Sequence, residues 1–263
     1  MKKLEIGIIG YGMVGGAVGA WFKNAAKYDP KKFPDGWADV DACPIVFICV
    51  PTPYKKSTGY DYRAIESTAK RLSGKKIVVL KSTVLPEKTL ELQKKFPQHT
   101  WLFNPEFLRD KTATADFLKP DRQIVGMAKN TIKHRVAAKA VMELLPPAPY
   151  QAVTSSTEAE LIKLFANAFL ATKVVFSNMM YDVAQRSGAD YEQVRLGVGH
   201  DPRITTSMTK VLLDGYRGYS GKCFPKDMGA IIRYGQMKKH RLPLLEVADA
   251  INWKLLSRSQ RKR

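Results

Sequence analysis

Near the start of the chain stands Leu4-Glu5-Ile6-Gly7-Ile8-Ile9-Gly10-Tyr11-Gly12-Met13-Val14-Gly15, an apolar stretch that runs into three glycines spaced G-x-G-x-x-G. An apolar helical pattern over 17–22 follows, so the glycines stand between a predicted strand and a predicted helix. In this context Gly10 allows a tight turn, Gly12 lets a pyrophosphate approach, and Gly15 lets the helix pack on the strand. The free N–H groups at the helix N-terminus would then bind phosphate. The stretch predicts a Rossmann domain that binds a dinucleotide.

Asp29 follows the first glycine at a distance of about twenty residues, where an acid can accept hydrogen bonds from the adenosine ribose. Such an acid favours NAD over NADP. Two alternatives stay open. Asp29 precedes Pro30 and suits a turn, and the neighbouring Lys31 and Lys32 could accommodate a 2′-phosphate.

Length and composition narrow the class of protein. The 263 residues suffice for two modest domains. No apolar run approaches the ~20 residues that span a bilayer, and the N-terminus lacks the apolar region of a signal peptide, so we expect a cytoplasmic protein. Cys43, Cys49 and Cys223 are odd in number and widely spaced, and the histidines are scattered, which indicates neither a disulfide framework nor a metal site.

The formal net charge is +19. This charge suits anionic ligands and also raises nonspecific attraction to nucleic acid. No zinc finger or other nucleic-acid signature accompanies it, so we do not expect a nucleic-acid partner.

The rest of the first 153 residues alternates strand and helix patterns. Strands are predicted over 45–50, 75–81, 101–103 and 121–126, and helices over 61–72 and 133–145. The prolines at 146, 147 and 149 break the last helix and lead to a domain boundary near Val153. The sequence therefore predicts an α/β Rossmann domain over 1–153 and a helical domain over 154–263.

The second domain begins with one long predicted helix over 157–186. Thr157 and Glu160 have the spacing of a capping box, and a helix of this length spans roughly 45 Å. Gly188 is expected to end the helix and Asp190 to cap a shorter one that reaches 196. Further helices are predicted from the Cys223 region to 240 and over 243–256.

The chemistry of the second domain centres on Gly215-Tyr216-Arg217-Gly218-Tyr219-Ser220-Gly221-Lys222-Cys223-Phe224-Pro225-Lys226-Asp227. The three glycines allow tight bends and close approach to a ligand. Lys222 and Lys226 flank Cys223, and neighbouring positive charge favours the nucleophilic thiolate. Pro225 suits the first turn of a helix, which would put Cys223 at the helix N-terminus. The alternative is a glycine-rich turn that carries a buried, inert cysteine.

Five segments in chain order resemble the UDP-glucose/GDP-mannose dehydrogenase family. They are the glycine motif at Gly10, Lys81-Ser82-Thr83-Val84-Leu85-Pro86, Asn104-Pro105-Glu106-Phe107-Leu108-Arg109-Asp110, the stretch 158–167, and Cys223-Phe224-Pro225-Lys226-Asp227. The resemblance implies NAD-dependent oxidation of a nucleotide-sugar alcohol to a carboxylate, with UDP-glucose as the expected substrate. It also implies a homodimer formed through the long helix of 157–186.

The resemblance also implies roles for individual residues. Cys223 would be the nucleophile, Lys163 and Asn167 would stabilise the oxyanion, Asp227 with Glu106 or Asp110 would move protons, and Thr83 would place water. The implied cofactor-binding residues are Gly10, Tyr11, Gly12, Met13, Val14, Gly15, Asp29, Val50, Pro51, Thr52, Thr83 and Lys226. The implied substrate-binding residues are Glu106, Phe107, Leu108, Lys163, Asn167, Arg203, Tyr216, Arg217, Tyr219 and Gly221.

Several of these roles have structural alternatives. Thr83, Glu106 and Asp110 could cap helices, and Lys163 with Asn167 could form a surface pair. Asp110 replaces the family's usual glutamate, and Thr205-Thr206 replaces its glycine after Asp201-Pro202-Arg203-Ile204. The chain ends before the family's third domain, so we expect a short form with weakened nucleotide binding. A single-step β-hydroxyacid-type dehydrogenase and a noncatalytic NAD- or nucleic-acid-binding protein remain alternative functions.

Overall fold

The computed structural model describes residues 5–55, 57–213 and 215–260, with the side chains of 213 and 258–260 left out of the description. The chain forms two compact units, Met1–Lys163 and Leu164–Arg263. Both predicted architectures are present, an α/β unit followed by a helical one.

The first unit is built on a β-sheet to which seven of the unit's described strands belong. The strands of the unit are β1 (Ile6–Ile9), β2 (Ala26–Tyr28), β3 (Ile45–Ile48), β4 (Tyr54–Lys55), β5 (Gly59–Tyr60), β6 (Ile77–Leu80), β7 (Thr100–Phe103), β8 (Arg122–Met127) and β9 (Tyr150–Ser155). The sheet order is β2-β1-β3-β6-β7-β8-β9, while β4 and β5 form a separate hairpin. Within the sheet, β2, β1, β3, β6 and β7 run parallel to one another, and β8 pairs antiparallel with β7. The carboxyl ends of the parallel strands therefore meet at one edge, together with the start of β8.

Helices cover both faces of this sheet. They are α1 (Met13–Trp21), α2 (Trp37–Ala42), α3 (Arg63–Arg71), α4 (Lys88–Lys95), α5 (Ala113–Leu118), α6 (Ile132–Leu144) and the start of α7 (Ser156–Arg186), with a 3-10 turn at Asp110–Thr112.

Alternation along the strands decides which residues face which helices. On one face, Ile8, Phe47, Val79 and Leu102 pack with α1, α5 and α6. The residues that follow them in each strand point to the other face and pack with α2, α3 and α4. Full burial of such side chains contributes about 1.5–3 kcal/mol each. The strands are apolar on both faces, as expected for a parallel sheet covered on both sides.

The division between the units lies ten residues beyond the boundary predicted at 153. The sequence patterns do not predict strand β9, because the prolines before it indicate only the end of a helix. The first turns of α7 also belong to the first unit, since Ala159 lies in the core beside the sheet. Glu160 accepts hydrogen bonds from Glu87 N (2.7 Å) and Thr89 N (2.9 Å) at the start of α4.

The capping box predicted at Thr157 and Glu160 is wrong by two residues. Ser155 N donates to Glu158 Oε2 (2.8 Å), and Glu158 N donates to Ser155 Oγ (3.2 Å). This is the reciprocal pattern of a capping box. Glu160 is instead buried, and burial raises the pKa of its carboxyl to about 7.

The second unit continues along α7 and adds α8 (Tyr191–Gly199), the hairpin β10 (Leu212–Leu213) and β11 (Tyr216–Arg217), α9 (Phe224–Met237) and α10 (Pro243–Gln260). The long helix is confirmed within one residue of its predicted start. Gly188 follows it with φ +70°, the left-handed conformation that ends helices. Asp190 caps α8 by accepting from Glu192 N (2.9 Å).

A buried histidine gives the first unit a pH dependence. His134 Nε2 lies 2.8 Å from Gln93 Oε1, and its Nδ1 lies 2.8 Å from Thr131 Oγ1. Burial lowers the pKa of His134, because the charged ring would lose its hydration. The fold therefore holds a neutral imidazole.

We predict that acidification destabilises this unit through His134. The unfolded chain takes up a proton below about pH 6.5, where the folded chain resists it, so stability is present above that pH and is lost as pH falls through the lower folded-state pKa. The measurement is the urea midpoint at about pH 7.5 and about pH 5.5, on either side of the ordinary histidine pKa. The midpoint should fall less in His134→Gln than in the parent. The control is His240→Gln, which changes an exposed histidine, and its urea midpoint should fall by as much as the parent's. A midpoint that falls as much in His134→Gln as in the parent would contradict the prediction.

Candidate active site

The glycine loop fits a dinucleotide. Gly10 has φ +85°, and a Cβ there would lie 2.8 Å from Cys49 O. A Cβ at Gly15 would lie 1.9 Å from Gly10 O, so the helix could not pack as it does. Apart from Gly12 and the adjoining backbone, no described protein atom lies within 4 Å of the Cβ position at Gly12, which leaves space for a ligand.

The start of α1 is suited to an anion. Gly12 caps this helix without a side-chain hydrogen bond, and no acidic residue occupies the first turn. The N–H groups of Met13 and Val14 therefore lie where a pyrophosphate would bind. The predicted residues 10–15 come together in one loop that fits NAD.

Asp29 joins the glycine loop to the end of β2. Its Oδ2 accepts from Tyr11 N (2.7 Å), and its Oδ1 accepts from Lys31 N (2.9 Å) and Lys32 N (3.2 Å). These N–H donors lower the pKa of the carboxyl, with Tyr11 N–H the largest contributor. Asp29 is thus a turn residue and also a neighbour of the loop. Lys32 Nζ donates to Tyr11 O (3.0 Å), which places an ammonium group there too.

We predict that Asp29→Ala weakens NAD binding by about tenfold or more, and NADP binding much less. The lost acceptor would contact the free 2′-hydroxyl, which NADP lacks. Fluorescence titration of both cofactors measures this, with the exposed Asp35→Ala as the control. Equal losses for the two cofactors would make Asp29 a turn residue only.

Two side-chain hydrogen bonds join the segments that follow β3 and β6, beside the glycine loop. Ser82 Oγ donates to Val50 O (2.6 Å), and Thr52 Oγ1 donates to Thr83 O (2.8 Å). Pro51 lies between Val50 and Thr52 in the chain. The predicted residues 50–52 and Thr83 therefore come together at the carboxyl edge of the sheet, where ligands bind in such folds.

A buried ion pair follows β7. Lys163 Nζ lies 2.6 Å from Glu106 Oε1, and the two side chains are 4% and 7% exposed. Glu106 Oε2 also accepts from Leu108 N (2.8 Å). The surface-pair alternative for Lys163 is excluded by this burial, and its partner is Glu106. Asp110 is exposed, at the start of the 3-10 turn.

Lys81 and Asn104 form a buried pair beneath this site, and no role was predicted for either. Lys81 Nζ donates to Asn104 Oδ1 (2.6 Å), and Asn104 Nδ2 donates to Ile124 O (2.7 Å). Burial lowers the pKa of Lys81 to about 8. The pair connects β6, β7 and β8 and positions the segment that carries Glu106. A lysine at the end of an apolar strand was the sequence signal that could have indicated it.

Arg122 is a second residue without a predicted role. Its guanidinium carbon lies 3.8 Å from the centroid of the Phe107 ring, and Lys163 Nζ lies 5.8 Å from the same centroid. The sequence gives no indication that Arg122 contacts Phe107, because the antiparallel pairing of β8 with β7 brings these two residues together.

In the second unit, Cys223 is the N-cap residue of α9, and Pro225 lies in the first turn. The predicted helix start is confirmed. Gly215, Gly218 and Gly221 have φ of +84°, +85° and +79°, so the loop needs glycine at each position. Cys223 is half-buried, whereas Cys43 and Cys49 are buried.

Asp227 is held between two donors one turn after Cys223. Its Oδ2 accepts from Asn167 Nδ2 (2.6 Å), and its Oδ1 lies 2.6 Å from Lys226 Nζ. Asp227 N donates to Cys223 O (2.9 Å). Asn167 and Asp227 are buried. The structure thus brings together four predicted residues of this unit: Cys223, Lys226, Asp227 and Asn167.

The remaining predicted substrate residues already have partners within the second unit. Arg217 binds Asp182 Oδ1 (2.7 Å) and Asn178, and Arg203, largely exposed, binds Asp201 Oδ2 (2.6 Å). Tyr219 is buried and donates to Asp249 Oδ1 (2.8 Å). Tyr216 and Gly221 lie in the same loop, and Tyr216 pairs with Ser220 through their hydroxyls. The contacts of Arg217, Tyr219 and Tyr216 position the loop ahead of Cys223.

Neither of two other kinds of site is found in the residues that the structure describes. Their helices do not combine the length and apolar character needed to cross a membrane. Their His, Cys, Asp and Glu side chains form no cluster of three or more that could hold a metal ion.

Comparisons with known proteins agree with the two units. Residues 32–144 match the NAD binding domain of the UDP-glucose/GDP-mannose dehydrogenase family, and residues 157–254 match its central domain. The UDP-glucose 6-dehydrogenase of Rickettsia bellii (strain RML369-C) is 34% identical over 220 residues, 80% of this chain and 50% of that protein. UDP-glucose 6-dehydrogenase TuaD of Bacillus subtilis (strain 168) is 34% identical over 228 residues, 82% of this chain and 47% of that protein.

A solved UDP-glucose dehydrogenase from Pyrobaculum islandicum matches 95% of this chain and 68% of its own, with a TM-score of 0.80 and 26% identity. The chain spans about half the length of the curated relatives it matches.

Proposed function

The chain belongs to the UDP-glucose/GDP-mannose dehydrogenase family, and we propose that it catalyses the NAD-dependent oxidation of a nucleotide-sugar primary alcohol to a carboxylate. The observation that carries the proposal is Cys223 at the N-terminus of α9, one turn before an Asp227 carboxylate held by Asn167 and Lys226. UDP-glucose is the proposed substrate, because the named relatives are UDP-glucose 6-dehydrogenases.

The proposed reaction removes two hydrides from one carbon. Bound NAD⁺ supplies the hydride acceptor for each oxidation. Loss of a hydride and a proton converts the alcohol to an aldehyde. The Cys223 thiolate then adds to the carbonyl carbon to form a thiohemiacetal, from which a second hydride leaves to give a thioester. Water attacks the thioester and releases the carboxylate and the thiol. Each alcohol therefore consumes two NAD⁺ and one water, and yields two NADH and three protons.

Residues of each unit have distinct proposed tasks. The N-terminus of α9 and Lys226 favour the thiolate. Asp227, held in place through both oxygens, accepts the proton of the hydrolytic water, and Asn167 donates to an oxyanion. Lys163 in the first unit would stabilise negative charge on the substrate oxygen, and Glu106 or Asp110 would exchange protons. Thr83 would help to place the water.

The stoichiometry of NADH release tests this proposal. Purified protein is incubated with NAD⁺ and each of a panel of UDP- and GDP-sugars, and NADH is measured against sugar consumed. Two NADH per sugar is the expected result. One NADH per sugar would indicate a single-step dehydrogenase, and no NADH with any sugar would indicate a noncatalytic binding protein.

We also propose that the chain forms a homodimer through α7. Phe165, Phe169 and Phe176 are 72%, 63% and 60% exposed along this helix, and exposed aromatic side chains that share one helix face are typical of an interface. Sedimentation of the parent and of Phe169→Asp tests the idea. The parent should sediment as a dimer and the variant as a monomer, whereas Trp253→Asp, at an exposed aromatic on α10, should remain dimeric. A monomeric parent would contradict the proposal.

A further inference from the structure

Arg122 carries a charge that no acceptor within the described residues neutralises directly. Its side chain is half-buried. Its described contact is with the face of the Phe107 ring, 3.8 Å from the guanidinium carbon. The carboxylate of Asp121, the exposed chain neighbour of Arg122, attracts the guanidinium electrostatically. Guanidinium groups that are removed from water normally gain a carboxylate or phosphate partner. A half-buried Arg122 that lacks such a partner among the described residues therefore indicates an anionic ligand.

The position of Arg122 follows from the strand order. Strand β8 runs antiparallel to β7, with Phe103 opposite Gly126. The start of β8 therefore lies beside the segment that follows β7, at the carboxyl edge of the parallel strands. That segment contains Glu106, Phe107 and Leu108, three residues that the sequence predicts to contact substrate.

Lys81 and Lys163, the buried lysines described near this edge, have side-chain partners, and Lys81 Nζ donates to Asn104 Oδ1 at 2.6 Å. Lys163 lies 5.8 Å from the Phe107 centroid, but Glu106 neutralises it at 2.6 Å. Among the residues that the structure describes, Arg122 has no carboxylate within ion-pair distance. The ring contacts the guanidinium through a cation–π interaction, and no described hydrogen bond or ion pair occupies the guanidinium N–H groups. A planar fork of N–H donors matches phosphate oxygens in a bidentate arrangement.

We propose that Arg122 binds the diphosphate of the nucleotide-sugar substrate, with Phe107 as the platform that orients its guanidinium. This assignment rests on the proposed function for the identity of the ligand. It adds a substrate-binding residue that lies in the first unit, beside the Glu106–Lys163 pair.

Calorimetric binding of UDP and of inorganic pyrophosphate, with NAD⁺ present to fill the dinucleotide site at the glycine loop, tests the proposal directly. In Arg122→Met the affinity for both should fall by about 10- to 100-fold, as expected for loss of a charge-assisted fork. Arg122→Lys keeps the charge without the fork, so its affinity should lie between those of the parent and the Met variant. Arg109→Met is the matched control, because Arg109 is exposed and pairs with Asp116 at 2.5 Å. Its affinity should equal the parent's.

Three results would overturn the assignment. They are unchanged affinity in Arg122→Met, an equal loss in Arg109→Met, and no binding of either probe by the parent protein. Thermal melting of each variant shows whether Arg122 only supports Phe107, in which case stability falls and affinity does not. The NADH assay is separate from these measurements. A failure of turnover with the Arg122 difference intact would reject the proposed reaction and keep the anion site.

Discussion

Replacement of Cys223 by alanine is expected to reduce carboxylate formation to background while NAD binding stays at the parent's level. The thiolate forms the covalent bond to the sugar carbon in the proposed reaction, and no other group supplies that bond. The predicted cofactor loop of Gly10, Gly12 and Gly15 lies in the first unit, and the substitution does not change it. Product analysis by mass spectrometry and fluorescence titration of NAD measure the two quantities.

Cys43→Ala is the matched control for this experiment. Burial raises the pKa of the Cys43 thiol, which makes it a poor nucleophile, so its loss should leave carboxylate formation intact. In Cys223→Ser the hydroxyl is a weaker nucleophile and a poorer leaving group, and intact-mass measurement should reveal a trapped ester. Normal product formation by Cys223→Ala would disprove the covalent route, even if two NADH were released per sugar.

The second large effect is expected at the buried ion pair. Lys163→Met leaves the Glu106 carboxylate buried without its ammonium partner, and breaking such a pair costs about 3–5 kcal/mol of unfolding free energy. The side chains are 4% and 7% exposed, so water cannot replace the lost partner. Urea denaturation measures the change. Turnover of nucleotide sugar should fall as well, because Lys163 is proposed to stabilise charge on the substrate oxygen.

An exposed pair provides the control for Lys163→Met. Lys139 and Glu143 lie 3.9 Å apart with side chains 80% and 66% exposed, and Lys139→Met should change stability by no more than about 1 kcal/mol. The double variant Lys163→Met/Glu106→Gln removes both charges and should recover part of the loss. Equal costs for Lys163→Met and Lys139→Met would mean that the buried pair contributes no more than a surface one.

Much of this molecule could be predicted from local patterns. The glycine motif, the apolar strands, the long helix and the helix start at Cys223 are each encoded within a few consecutive residues. Steric rules at glycine and proline act over the same range. Residues 10–15 form the tight turn that the glycine spacing predicts, and Cys223 lies at the start of α9.

The partners of charged and polar groups depended on the tertiary structure. The sequence placed Lys163 and Asn167 one turn apart on a helix, but it could not show that Glu106 pairs with Lys163 or that Asp227 pairs with Asn167. These contacts join residues about sixty positions apart, and a buried charge takes whichever partner the packing brings within reach. For the same reason Glu160 caps α4 instead of its own helix. Arg122 meets Phe107 because β8 runs antiparallel to β7, a strand direction that local periodicity does not encode.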